Sequence, residues 1–174
     1  MAIWIASDGN PYPSGPNSTG ESTGNLDAYA HADAVIRALE SRCDALGVGP
    51  SLFPAAAFHV AGIAANRGAE QRKAGRLDDA RYTAACRSAF AKTLLRRDPN
   101  EAAFHLVLSA AFVQESKNAW KIKDYTTIEH ALRKALGEAC TALRLDPRNA
   151  DARLEVAILQ DKLVGLVSER PTSR

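Results

Sequence analysis

Apolar positions in this chain recur every three to four residues through six long segments, each bounded by Gly, Pro, Asp or Asn. The first segment covers residues 26–46, opened by Asn25 and closed by Gly47 and Gly49-Pro50. The second covers 54–74. Ser51 can cap it, Pro54 suits a first turn where its missing N–H costs nothing, and Gly75 ends it. The third covers 77–97, with Asp78 and Asp79 at the positive end of the helix dipole and Asp98-Pro99 as a stop. The fourth covers 102–122, the fifth 126–145 up to Asp146-Pro147, and the sixth 149–167. No window after the first six residues alternates convincingly with period two. The pattern therefore predicts an all-α protein, and its short connections make consecutive helices antiparallel neighbours. Residues 168–174 read as a frayed tail, leaving 26–167 as one helical domain.

Ahead of that domain the pattern vanishes. Residues 7–25 are almost all Gly, Pro, Ser, Thr or Asn, a composition that buries too little apolar surface to offset its ordering entropy. Residues 1–25 are expected to be a flexible arm. Ile3, Trp4 and Ile5 at its tip are the candidates for docking on a partner or adding a strand to a sheet edge.

The two Asp-Pro stops lie 48 residues apart, and sliding the chain by that distance reveals a repeat. Five identities fall between Ala91 and Asp98 and their counterparts. Phe58-His59-Val60 overlies Leu106-Val107-Leu108, and the turn from Gly75 to Ala80 overlies that from Lys123 to Ile128. Helices two and three then form one hairpin, and four and five the next. Helix one is a leading second half, and helix six a trailing first half that covers the open end.

The turn Gly75-Arg76-Leu77-Asp78-Asp79-Ala80 resembles the one inside a tetratricopeptide repeat (TPR). Gly68 fits the small residue of that family's first helix. Leu108, Ser109 and Phe112 match its bulky-small-aromatic spacing, Ala135, Ala142 and Pro147 its small-small-Pro spacing, and Asp146-Pro147-Arg148-Asn149-Ala150 its inter-repeat turn. The resemblance spans residues 54–167. It departs in length, about 48 residues against the family's 34, and in lacking the family's Trp-type position. It implies a short TPR-like solenoid in which the first helix of each hairpin lines a concave face for a partner polypeptide; a plain helical bundle is the alternative, since Ala-rich amphipathic hairpins also build bundles. The candidate lining is Ala103, Leu106, Val107, Ala110 and Val113, with Asp151, Leu154, Ile158 and Asp161 on the last helix. This lining is mostly apolar and shows no basic clamp, so an apolar partner helix or strand is expected.

Composition adds little to this picture and excludes more. Net charge is +2, too small to demand a polyanionic partner. Charge is nonetheless uneven. Between Arg67 and Arg97 nine Lys and Arg residues face Glu70, Asp78 and Asp79, a locally basic hairpin suited to an acidic partner. No aromatic residues interleave as a stacking platform for a single strand, so a nucleic acid is not the expected partner. Cys43, Cys86 and Cys140 are too few and too widely spaced for a disulfide framework, and they suit a reduced cytoplasmic chain. No basic, apolar leader opens the chain, and no stretch is long enough to span a membrane. His31, His59, His105 and His130 form no metal-ligand motif, although His59 and His105 fall on neighbouring first helices. Gly47-Val48-Gly49 lacks the Lys-Ser/Thr of a phosphate loop, and no Ser sits in a nucleophile elbow. No cofactor or metal is expected. The favoured function is a protein-binding scaffold or adapter. Two rivals are a structural subunit anchored by the arm and a cofactor- or metal-binding bundle enzyme.

Overall fold

The computed structural model describes residues 21–47 and 52–169, with side chains from Asp27 onward. Six α-helices make up the described chain: α1 (Glu21–Ala45), α2 (Phe53–Lys73), α3 (Leu77–Arg97), α4 (Ala102–Trp120), α5 (Tyr125–Leu145) and α6 (Ala150–Glu169). The all-α expectation holds, and most boundaries fall within two residues of those predicted. The largest difference is at the front, where α1 begins five residues before Leu26. The last five residues assigned to the arm are helical, because extending an existing helix adds one hydrogen bond per residue while only starting one is costly. Ser168 and Glu169 likewise belong to α6 rather than to a frayed tail. Residues 1–20, including Ile3, Trp4 and Ile5, lie outside the described residues, as do Ser51 and residues 170–174.

The 48-residue repeat is a repeat of geometry. α3 and α5 are each 21 residues long, and both of their ends are offset by 48. Both are followed by an extended aspartate, Asp98 (φ −139°) and Asp146 (φ −131°). Each aspartate accepts through Oδ1 from the N–H two residues on, Asn100 at 3.0 Å and Arg148 at 3.1 Å. The turns inside the hairpins also correspond, since Gly75 (φ 75°) and Lys123 (φ 56°) both adopt the left-handed conformation. Glycine does so freely, whereas lysine is strained there. Gly75→Ala should therefore cost about 1 kcal/mol, and Lys123→Gly should cost nothing or stabilise by up to about 1 kcal/mol. Urea melts of the two variants check this, and equal losses for both would contradict the shared turn geometry.

Side-chain caps differ between the helices. Asp124 takes the Thr127 N–H at 3.0 Å and the Thr127 hydroxyl at 2.6 Å, bonds that hold its carboxyl below the usual carboxylate range. Glu101 accepts from the Ala103 N–H at 3.0 Å at the start of α4.

Packing follows chain order, with each helix on the next, and α1 lies chiefly against α3 while α2 also reaches α4. The interior is built from small residues. Ala57, Ala61 and Ala64 of α2 and Ala135, Ala139 and Ala142 of α5 are all buried. They let helices approach closely around Ile36, Leu39, Leu94, Ile128 and Leu159. Leu108, Ser109 and Phe112 are all buried, as bulky-small-aromatic spacing on an inward face requires. No described helix is long and apolar enough to cross a membrane.

Candidate functional site

The order of the helices leaves α2, α4 and α6 side by side around a groove of about 380 Å³. Ala65, Asn66 and Ala69 line it from α2, Ala110, Val113, Gln114 and Lys117 from α4, and Glu155, Ile158 and Lys162 from α6. Arg72 and Arg87 complete the wall. Three of the sequence-predicted residues, Ala110, Val113 and Ile158, are thus brought together. Leu154 lies one turn before Ile158 on α6 and is 60% exposed, and Ala103 is half-buried near the start of α4. Asp151 and Asp161 are exposed on α6.

Two predicted lining residues are corrected. Val107 is fully buried in the main core, and Leu106 packs with Ala102, Ala142 and Ala152 in a smaller cluster. Both side chains are used in holding α4 to its neighbours and present no open surface. A helix in a layered fold has two contacting faces, and spacing alone does not say which is covered.

The expectation of an apolar groove without basic groups is also overturned. Arg72, Arg87, Lys117 and Lys162 line it against one carboxylate, Glu155. The sequence hides this set because its members come from α2, α3, α4 and α6. Arg87 is only 8% exposed and donates from Nη1 to the Ala110 carbonyl at 3.1 Å and toward Gln114 Oε1 at 3.5 Å. Arg72 Nη1 donates to Asn118 Oδ1 at 3.1 Å, and Asn118 Nδ2 donates to the Ala80 carbonyl at 3.2 Å. The Ser109 hydroxyl donates to Glu155 Oε1 at 3.4 Å, tying α4 to α6. Burial, followed by the fields of Lys162, Arg72 and Arg87, holds the Lys117 ammonium below the usual lysine range, with Glu155 acting the other way.

Gly68, singled out by its spacing, sits beneath this polar layer. A Cβ there would fall 1.6 Å from Gln114 Nε2, so the bare backbone is what lets the Gln114 amide pack between α2 and α4. Next to it the Thr83 hydroxyl donates to Gln71 Oε1 at 2.8 Å, with both residues buried.

Four other cations of the basic hairpin have other partners. Arg76 pairs with Asp79 at 3.3 Å, Arg81 with Asp78 at 3.2 Å, and Arg97 with Glu40, all at exposed positions where such pairs contribute roughly 0–1 kcal/mol. Arg96 stacks 5.3 Å from the centre of the Tyr29 ring. The hairpin is therefore not one basic face: Arg72 and Arg87 line this groove, while Arg81 and Lys92 line another.

A second groove, of about 500 Å³, opens from other faces of α3 and α4 toward α5. It mixes Arg81, Lys92 and Lys134 with Glu115 and Asp124, and Lys134 covers its Phe112 floor with Nζ 5.4 Å from the ring centre.

His105 and Cys86 are engaged in structural contacts. His105 bonds Glu138 Oε2 through Nδ1 at 2.7 Å and the Pro99 carbonyl through Nε2 at 2.9 Å, joining α4 to α5 and to the loop before it, while His59 is exposed. Among the described residues no three His, Cys, Asp or Glu converge as a metal site. The Cys86 thiol is buried and is pushed up to about 11 by desolvation, against which the Tyr82 hydrogen bond acts. A thiol so protonated is a poor nucleophile. Iodoacetamide at pH 8 should label the half-buried Cys43 and Cys140 well before Cys86 in the native protein, and all three after denaturation. Peptide mass spectrometry reads the order, and early labelling of Cys86 would contradict its burial.

No model of a known family matches the chain, and searches of curated proteins and of solved structures return no match.

Proposed function

We propose that this chain is a TPR-like interaction module, not an enzyme, which holds a partner polypeptide in the groove between α2, α4 and α6 in the reducing cytoplasm. The observation carrying the reading is the groove itself. Helices α2, α4 and α6, with Arg87 of α3, line one groove, with Ala110, Val113 and Ile158 among its apolar residues and four cations among its polar ones. Stacked helical hairpins characteristically bind on such a surface. The mixed lining suits a segment that presents apolar and acidic side chains together.

The test is a photo-crosslinking amino acid placed at Ala69 in the groove or at Ala85 in the second groove. The groove position should yield a discrete crosslinked polypeptide in cells, and Val113→Asp should abolish it. Equal yields from both positions, or indifference to Val113→Asp, would place the binding surface elsewhere.

A second reading, a fixed subunit of a larger assembly, has its own support. Leu154, Val164 and Val167 of α6 are 60%, 70% and 78% exposed. Terminal units of helical stacks ordinarily present a polar outer face. Sedimentation of Val164→Asp beside the parent protein separates the readings, since loss of an assembled species favours the subunit.

A further inference from the structure

We infer that the floor of the α2–α4–α6 groove is an anion subsite that takes a phosphorylated side chain of the partner polypeptide, an inference that rests on the groove being the polypeptide-binding surface. Three features of the groove carry it.

The first is charge. Arg72, Arg87, Lys117 and Lys162 line one groove of about 380 Å³ with Glu155 as the sole carboxylate among the described lining residues. A single carboxylate on the ligand balances little of that positive charge. A phosphate ester carries about −1.5 to −2 near neutral pH and three strong acceptor oxygens. Two of the four cations are guanidinium groups, whose planar fork matches a phosphate better than an ammonium does.

The second is preorganisation. Arg87 is 8% exposed, and its contacts with the Ala110 carbonyl and Gln114 fix it against the wall. Arg72 is likewise held by Asn118. Lys117 and Lys162 are exposed and free to close over a ligand. Rigid arginines with adaptable lysines lose little entropy on capturing a compact anion.

The third is a polar group at the same floor. Gln114 is 3% exposed with its Nε2 packed beside Gly68, and among the described residues that Nε2 has no hydrogen-bond partner. Such a buried donor ordinarily costs stability unless a ligand or water engages it.

A nucleic-acid backbone is the rival source of phosphate. Among the described residues the lining contains no aromatic side chain on which bases stack, and the cations converge on one groove instead of forming a track. The ligand is therefore placed on a polypeptide.

The full-length protein is tested against a degenerate peptide library synthesised with a fixed central phosphoserine, glutamate or serine, and against single-stranded and duplex oligonucleotides. Phosphoserine peptides should bind at least tenfold tighter than serine peptides and measurably tighter than glutamate peptides, and they should raise the melting temperature. K117A/K162A, which removes two exposed side chains, should erase the preference while melting like the parent protein. Equal binding of all three libraries, with no effect of K117A/K162A, would overturn the anion subsite and leave the groove as a polypeptide site. Absence of binding by any peptide would overturn both. Oligonucleotides binding as tightly as the phosphoserine library would overturn the assignment in favour of a nucleic-acid site.

Discussion

Leu94→Ala should cost about 2–5 kcal/mol, the range for deleting a fully buried leucine side chain where neighbours collapse only partly. Leu94 is fully buried near the end of α3 and lines the same hollow as Phe53 of α2 and Phe104 of α4. Those two rings meet edge to face at 6.3 Å and 88°. The position therefore joins the first hairpin to the second, and a cavity there loosens both. At roughly 2–4 °C per kcal/mol for a chain of this size, the melting temperature should fall by about 4–20 °C. Leu145→Ala is the control, because Leu145 is 39% exposed and its loss should cost far less. Matching melts for the two variants would contradict the placement of Leu94 in the core.

Ala139→Leu tests the opposite kind of fit. Ala135, Ala139 and Ala142 fall at i, i+4 and i+7 on α5 and have no exposed surface. Ala142 meets Ala102 and Leu106 of α4 and Ala152 of α6, so these alanines set how closely α5 approaches the helices that form the groove. Adding three carbons at Ala139 should overpack the contact and cost about 1–3 kcal/mol. Phosphopeptide affinity should also drop if α4 and α6 are pushed apart. Lys134 is unsuitable as a surface control because it covers the Phe112 ring. Gln160→Ala on the exposed side of α6 serves instead, and a melt of Ala139→Leu indistinguishable from it would show that α5 is not closely packed.

The local grammar of the chain was legible in advance. Asp-Pro stops, Gly75 and the periodic apolar positions placed α3 to within a residue at both ends, because helix termination depends on dihedral preferences and caps that act over a few neighbouring residues. The 48-residue offset predicted equivalent turns, and Lys123 adopts the glycine-like conformation of Gly75 although its side chain disfavours it. The start of α1 was less legible. Gly24 and Asn25 look like a boundary on propensity, and propensity is a weak local preference that helix extension overrides.

The candidate site divides along the same line. Ala110, Val113 and Ile158 were placed on one surface by helical phase and the order of the hairpins, both contained in the sequence. That Leu106 and Val107 are covered, and that Arg72, Arg87, Lys117 and Lys162 share one groove, was decided by tertiary structure. The two arginines come from the basic hairpin, the lysines stand 45 residues apart on α4 and α6, and spacing along the chain is blind to such an encounter. The sequence determines which residues lie on which side of each helix. Which side meets solvent, and which charges then confront one another, follows from how six helices divide the burial of apolar surface, a property of the whole packing.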